Sequence, residues 1–166
     1  MTKSAASRLL LLCALLCSGP AQAQTDPVLL TVSGKIRRFT DPAQRVYAFR
    51  ESDLRKLPQH AIATATNWTP LSTFSGPLVR DVLSVVGAYG AKAKFYALND
   101  YNYCIDSAEF ARYDAVLAMT LNQQQLDIAH RGPLWLMYPI PDLPASMRGP
   151  TLDAKLIWQV HRLDIQ

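Results

Sequence analysis

Near its middle the chain reads Phe74-Ser75-Gly76-Pro77-Leu78-Val79-Arg80-Asp81-Val82-Leu83. Apolar residues recur from Leu78 to Val86 at the three- and four-residue spacing of a helix with one buried face. Ser75 or Gly76 can cap the start of this helix, and Gly87 marks its end. The stretch therefore predicts the main helix of the fold over residues 76–86.

On both sides of this helix the apolar period changes often, which predicts many short elements and a single α+β domain over residues 24–166. A helix over residues 51–57 is stopped by Pro58, and a second short helix follows Asp106, which forms a capping-box pattern with Glu109. Strands are predicted over residues 28–32, 46–49, 60–66, 94–98, 103–105, 115–120, 134–138 and 156–161.

Residues 1–23 have the pattern of a cleavable secretory signal. Lys3 and Arg8 precede an apolar run over residues 9–17, which is too short to span a bilayer, and Ala21-Gln22-Ala23 is a small-x-small cleavage site. A lipoprotein reading through Cys17 is weaker because bulky Leu16 precedes it. We therefore expect a periplasmic protein without direct membrane insertion.

Charge and cysteine content narrow the function classes. Loss of Lys3 and Arg8 with the signal leaves 15 of the 17 basic residues against 13 acidic ones. A net charge near +2 without a basic cluster argues against a nucleic-acid partner. Cys104 is the one cysteine outside the signal, so no internal disulfide is possible there. Its place in a predicted strand favours a buried small side chain over a reactive thiol.

Common catalytic patterns are missing from the sequence. His60, His130 and His161 are scattered and have no cysteine partner, so no metal site is predicted. Neither a Gly-x-Ser-x-Gly elbow nor a phosphate-binding glycine loop occurs, and Ser75 has the position of a cap. We therefore predict no catalytic residue from these patterns.

Three blocks, in this order and spacing, resemble the sulfite-oxidase-like, molybdopterin-binding fold. They are residues 64–69 running into 74–83, Asn99-Asp100-Tyr101, and Arg131-Gly132-Pro133-Leu134-Trp135. The likeness extends over roughly residues 28–165. It implies mixed β-sheets that form a barrel-like sandwich with a few flanking helices.

The resemblance also implies a function. Enzymes of this family hold molybdenum through a cysteine thiolate in the loop after the first of these strands, where this chain has Asn67. An amide does not replace a soft anionic sulfur ligand. The likeness therefore points to a non-enzymatic subgroup that binds reduced pterins in the periplasm. Members of that subgroup regulate a membrane-bound cyclic-di-GMP synthase and phosphodiesterase through its periplasmic domain. A molybdopterin-dependent oxidoreductase with atypical metal ligation and a scaffold without a small ligand remain as alternatives.

A pterin offers a flat bicycle with an N–H donor edge beside a carbonyl, so its pocket needs an aromatic plane, a carboxylate or amide, and a donor. Trp68 and Trp135 are candidates for stacking, Asn99 or Asp100 for the donor edge, and Arg131 for the carbonyl. No catalytic cofactor is expected, and the Pro-rich residues 139–150 are a candidate partner surface. The predicted pterin site comprises Asn67, Trp68, Asn99, Asp100, Tyr101, Arg131 and Trp135.

Overall fold

The structure is a computed structural model that describes residues 25–166, so the predicted signal at residues 1–23 lies outside the described part. The helices are α1 (Glu51–Lys56), α2 (Val79–Val86), α3 (Ser107–Arg112) and α4 (Pro150–Asp153). The strands are β1 (Val28–Gly34), β2 (Tyr47–Arg50), β3 (Gln59–Thr66), β4 (Thr69–Pro77), β5 (Lys92–Ala97), β6 (Asn102–Asp106), β7 (Val116–Ala118), β8 (Thr120–Leu121), β9 (Gln124–Gln125), β10 (Trp135–Met137) and β11 (Val160–Ile165).

The largest sheet has five strands in the order β2-β1-β11-β5-β6. Strand β11 pairs in parallel with β1, with Thr31 opposite Arg162, and antiparallel with β5. The sheet is therefore mixed, as predicted, and its central strand is the last element of the chain. Leu30, Val32 and Leu163 on its inner face are almost fully buried, because alternate residues of a strand point to the same face.

Two smaller sheets complete the described chain: β3-β4-β8-β9, and the pair β10-β7. The three sheets are separate, and within residues 25–166 no barrel closes, so the predicted barrel-like sandwich is not confirmed. The α+β class and the flanking short helices are confirmed. Among the described residues, no helix has the length and apolarity needed to cross a membrane.

The main helix begins later than predicted. Gly76 and Pro77 belong to β4, and Leu78 is the residue before α2. The strand passes so close to Leu117 that a side chain at Gly76 would collide with the Leu117 carbonyl, which explains the glycine. At the other end, Gly87 takes the left-handed conformation at φ 63° and closes the helix, as predicted.

Two predictions around β6 are wrong. Cys104 is exposed, because Tyr103 and Ile105 take the inward positions of the strand. The Asp106–Glu109 capping box is absent: Asp106 precedes α3 without a side-chain cap, and its carboxylate accepts from Lys92 instead. Glu109 turns inward and pairs with Lys155.

Candidate functional site

The first part of the site is the turn between β3 and β4. Thr66 pairs with Thr69, so Asn67 and Trp68 form a two-residue hairpin turn. The Thr66 hydroxyl accepts hydrogen bonds from the backbone N–H groups of Trp68 and Thr69, both at 3.0 Å. The loop that the family resemblance implied around Asn67 is thus a tight turn, since Thr69 already opens β4. The turn holds the indole of Trp68 at the surface, 37% exposed.

The second part is the turn between β5 and β6. Asn99-Asp100-Tyr101, which the family resemblance implied to be a strand segment, forms this turn, with Asp100 at φ 66°. The Asn99 side-chain oxygen accepts from the Tyr101 backbone N–H at 3.2 Å, which is an Asx turn. Asp and Asn tolerate the left-handed conformation better than most residues. The local sequence therefore directs the side chains of Asn99 and Tyr101 toward one edge of the sheet.

The third part is the segment that connects α4 to β11, here called the wall segment (residues 153–158). The Asn67 amide nitrogen donates to Asp153 Oδ2 at 2.7 Å, and the Tyr101 hydroxyl donates to the Ala154 carbonyl at 2.9 Å. From the core, the Trp135 indole nitrogen donates to the Leu156 carbonyl at 3.3 Å. Both turns are therefore tied to the wall segment by side-chain hydrogen bonds.

A cavity of about 280 Å³ lies where these three parts meet. Its surface is mostly apolar, with Asp153, Asn99 and the Tyr101 hydroxyl as polar groups. An apolar cleft with a few convergent polar groups is the usual form of a small-molecule site. The lining residues are Trp68, Ala97, Asn99, Tyr101, Asp153, Ala154, Leu156, Ile157 and Trp158.

Aromatic side chains continue from the cavity into the core. Trp68 meets Trp158 edge to face, with ring centroids 4.9 Å apart and an interplanar angle of 81°. Trp158 in turn lies 6.2 Å from Trp135, which is fully buried and packs on Phe74 at 5.3 Å. Edge-to-face contacts of this kind add stability beyond burial alone. These contacts hold Trp158 between Trp68 and the buried core residue Trp135.

Arg131 packs against this aromatic row. Its guanidinium carbon is 5.2 Å from the centroid of Trp135 and 5.8 Å from that of Trp158, within cation–π range. Within residues 25–166 the guanidinium forms no ion pair or hydrogen bond. The backbone carbonyl of Arg131 accepts from Gln159, the residue after Trp158. Arg131 thus packs on two indoles of the row and is not among the residues that line the cavity.

The structure brings together part of the predicted pterin site. Trp68, Asn99 and Tyr101 line the cavity, and Asn67 reaches its rim through Asp153. Asp100 is exposed at the tip of its turn, outside the lining residues, while Trp135 is core and Arg131 supports it.

Sequence reasoning missed Asp153 and Trp158. Trp158 was placed inside a predicted strand, whereas β11 begins at Val160. Asp153 ends a four-residue helix after a Pro-rich stretch, where no apolar period marks it.

The electrostatics of the cavity favour a neutral tyrosine. Burial, with a smaller contribution from nearby Tyr103, raises the pKa of Tyr101 above its ordinary value. At neutral pH its hydroxyl therefore keeps its proton and donates to the Ala154 carbonyl. Among the described residues that line the cavity, Asp153 is the one with a carboxylate.

The residues present do not fit a molybdenum centre held by a protein thiolate. In the part of the chain that the structure describes, no cysteine or histidine lines the cavity, and Cys104 is exposed on β6. Across residues 25–166, no group of three or more histidine, cysteine, aspartate or glutamate side chains is arranged to hold a metal ion. Soft thiolate ligands are what such a centre requires of the protein.

No protein-family profile matches the sequence, and no curated protein matches it. Among solved structures, the chain is similar to the sulfane dehydrogenase SoxCD from Paracoccus pantotrophus, with a TM-score of 0.59 and 15% sequence identity. The likeness covers 82% of this chain and 37% of that chain, so this chain spans well under half of that chain's length. It supports the sulfite-oxidase-like fold that the sequence blocks predicted, and at this identity it shows the fold alone.

Proposed function

We propose that this protein binds reduced pterins in the periplasm and regulates a membrane-bound cyclic-di-GMP synthase and phosphodiesterase through that enzyme's periplasmic domain, in the manner of PruR-type regulators. The observation that carries the proposal is the cavity lined by Trp68 and Trp158, with the Asp153 carboxylate among its other lining residues. Its volume of about 280 Å³ lies near the lower end of small-ligand sites. A single flat bicycle suits a space of this size.

The chemistry of the lining matches a pterin ring. The indoles of Trp68 and Trp158, which contact each other edge to face, both line the cavity and offer aromatic surface to a flat ring. Asp153, held by Asn67, is the acceptor for ring N–H groups. We therefore assign to Asp153 the donor-edge role for which the sequence offered Asn99 or Asp100; Asp100 lies at an exposed turn.

We propose a binding protein that performs no redox catalysis. The alternative, a molybdopterin-dependent oxidoreductase with atypical ligation, draws on the fold likeness to a sulfane dehydrogenase. A cavity lined without cysteine or histidine disfavours it. Metal analysis of protein purified from its native source separates the two: stoichiometric molybdenum would favour the enzyme.

Regulation requires that the partner bind the loaded and empty forms with different affinity. In the sequence, the Pro-rich residues 139–150 come shortly before the wall segment. Within them, Arg148 donates to the carbonyls of Pro141 and Leu143 at 2.8 Å. We propose that this Pro-rich surface contacts the partner. Ligand-dependent hydrogen exchange across residues 139–150 would support this, and equal exchange with and without ligand would argue against it.

The binding proposal is tested by titrating the purified protein with a reduced pterin, 7,8-dihydropterin, and following tryptophan fluorescence. We expect saturable binding that Trp68→Ala weakens about 5- to 150-fold, because stacking on an aromatic ring contributes about 1–3 kcal/mol. Leu71→Ala, at an exposed residue of β4 outside the cavity lining, is the matched control and should bind normally. A flat titration of the unmodified protein would refute the proposal.

A further inference from the structure

We infer that the cavity recognises the donor–donor–acceptor edge of a 2-amino-4-oxopyrimidine ring, and that it therefore binds guanine-type bases and nucleosides as well as pterins. The inference rests on the proposed pterin site and names the class of ligands that the site accepts. A pterin and a guanine present the same edge: an exocyclic amino group, a ring N–H and a carbonyl oxygen. A site that reads this edge has no means to separate the two by hydrogen bonding.

The acceptor half of the recognition is Asp153. Its Oδ2 accepts from the Asn67 amide at 2.7 Å, which fixes the carboxylate at the rim of the cavity. Within residues 25–166, Oδ1 receives no hydrogen bond, and no cation pairs with this carboxylate. A carboxylate has about four acceptor positions. Asp153 therefore retains the capacity to accept both the amino and the ring N–H of one ligand.

The donor half is Asn99. Its side-chain oxygen is engaged by the Tyr101 backbone N–H at 3.2 Å, so the amide nitrogen is the end that remains to donate. Asn99 and Asp153 line the same cavity, from different parts of the chain. Together they supply two acceptor positions and one donor, which complements the donor–donor–acceptor edge.

The apolar residues of the cavity lining offer the ring no hydrogen-bond partner. Trp68, Leu156, Ile157 and Trp158 present apolar surface that contacts any flat heterocycle. Discrimination therefore lies with Asp153 and Asn99. Adenine offers a ring nitrogen lone pair where guanine offers an N–H, and a carboxylate repels it. Because Trp68 and Tyr101 line the cavity and are also exposed, the cavity reaches solvent on their side, where we expect the ribose of a nucleoside to extend.

The test uses the full chain with bound 7,8-dihydropterin, and adds guanosine or adenosine as competitor. We expect guanosine to displace the pterin and adenosine to be at least about tenfold weaker, since one mismatched buried polar contact costs about 1–3 kcal/mol, or 5- to 150-fold. Asp153→Asn should weaken pterin and guanosine together by a factor in this range. Asn99→Asp keeps the Asx-turn acceptor and removes the donor, so it should also weaken both. Asp81→Asn, on α2 and outside the cavity lining, is the control.

The outcomes separate this inference from the proposal beneath it. Pterin binding without guanosine displacement would overturn the inference and leave the pterin proposal standing. Absence of pterin binding and of guanosine binding would overturn both. Equal displacement by guanosine and adenosine, or normal guanosine binding by both folded variants, would show that Asp153 and Asn99 do not read the edge. Denaturant midpoints of the variants establish that they are folded.

Discussion

Two charged side chains two residues apart on the wall segment have very different surroundings. Lys155 pairs with Glu109 of α3 at 2.7 Å, and the two side chains are 12% and 13% exposed. Asp153 instead lies at the rim of the cavity, where the neutral amide of Asn67 is its partner. Glu109 accepts a further hydrogen bond from the buried Tyr138 hydroxyl at 2.9 Å. Lys155 thus anchors the segment in the interior, whereas Asp153, at the start of the segment, keeps unused acceptor positions.

The difference separates a structural charge from a candidate recognition charge. A buried ion is costly unless it is paired and hydrogen-bonded, so Glu109 and Lys155 satisfy one another and have little left to offer a ligand. A half-exposed carboxylate such as Asp153 tolerates incomplete pairing, because water satisfies it in the empty state. The buried pair of Lys155 and Glu109 holds the wall segment in place and so positions Asp153 at the cavity.

The largest expected effect is a loss of stability when the buried pair of Lys155 and Glu109 is broken. Lys155→Ala leaves the Glu109 carboxylate buried without its cation, and we expect a loss of about 3–5 kcal/mol in the free energy of unfolding, measured by urea denaturation. Lys56→Ala removes one partner of an exposed pair with Asp53 and should change stability by less than about 1 kcal/mol.

A combined Lys155→Met, Glu109→Leu and Tyr138→Phe variant sharpens this test. Replacing both charges and the Tyr138 hydroxyl, which donates to Glu109, should recover most of the lost stability, because neither a charge nor a hydroxyl then remains buried without a partner. If Lys155→Ala destabilised no more than Lys56→Ala, the anchoring role would be wrong.

Tyr138→Phe comes next. It removes a hydrogen bond to a carboxylate in the interior, for which we expect a loss of about 1.5–3 kcal/mol near pH 7. Burial, and then the negative charge and hydrogen bond of Glu109, raise the pKa of Tyr138 well above its ordinary value. The unfolded chain loses this proton first, near pH 10.

Stability from Tyr138 is therefore complete below about pH 10 and falls as the pH rises from there toward the folded-state pKa. Unfolding free energies measured from pH 8 to 11 should decline for the unmodified protein and decline less for Tyr138→Phe. Exposed Tyr89→Phe serves as the control and should keep the unmodified slope. Identical slopes for all three proteins would contradict the assignment.

For the cavity end, Asp153→Ala should leave the free energy of unfolding within about 1 kcal/mol of the unmodified value, because the side chain is half-exposed. Its affinity for 7,8-dihydropterin should fall about 5- to 150-fold. Denaturation and fluorescence titration of the same preparation test both halves. If Asp153→Ala lowered the free energy of unfolding strongly but bound 7,8-dihydropterin normally, Asp153 would be a structural charge like Lys155 and not a recognition charge.

The smallest expected effect is at Tyr101, whose hydroxyl ties the β5–β6 turn to the Ala154 carbonyl. Tyr101→Phe keeps the ring at the cavity and removes this one neutral hydrogen bond, which should lower the free energy of unfolding by about 0.5–1.5 kcal/mol. Amide hydrogen exchange should increase in residues 153–158 and stay unchanged in α2. Unchanged exchange in the wall segment would show that this contact does not hold it.

Much of the local structure followed from short-range patterns. The helical spacing that ends at Gly87, the helix stopped before Pro58, and most strands lie within a few residues of their predicted places. Trp68, Asn99 and Tyr101 were predicted as site residues and do line one cavity. These patterns work because the period of the apolar residues and the turn chemistry act over fewer than about ten residues.

Alternation nevertheless left one question open. It indicated that Tyr103 and Cys104 point to opposite faces of β6, but not which face is buried, and Cys104 proved to be exposed. Similarly, Gly76 was interpreted as a helix cap, whereas its real constraint is the Leu117 carbonyl of another strand. In both cases the deciding neighbour belongs to a different element of the chain.

Composition, periodicity and motif order thus predicted an α+β domain of sulfite-oxidase-like fold, most of its short elements, and Trp68, Asn99 and Tyr101, which line the cavity. The path of the folded chain established the rest: Asn67 meets Asp153 across 86 residues, and Glu109 meets Lys155 across 46. No local period encodes such meetings, since each depends on how separate sheets and helices pack. For that reason the cavity's carboxylate and its second indole emerged from the three-dimensional arrangement.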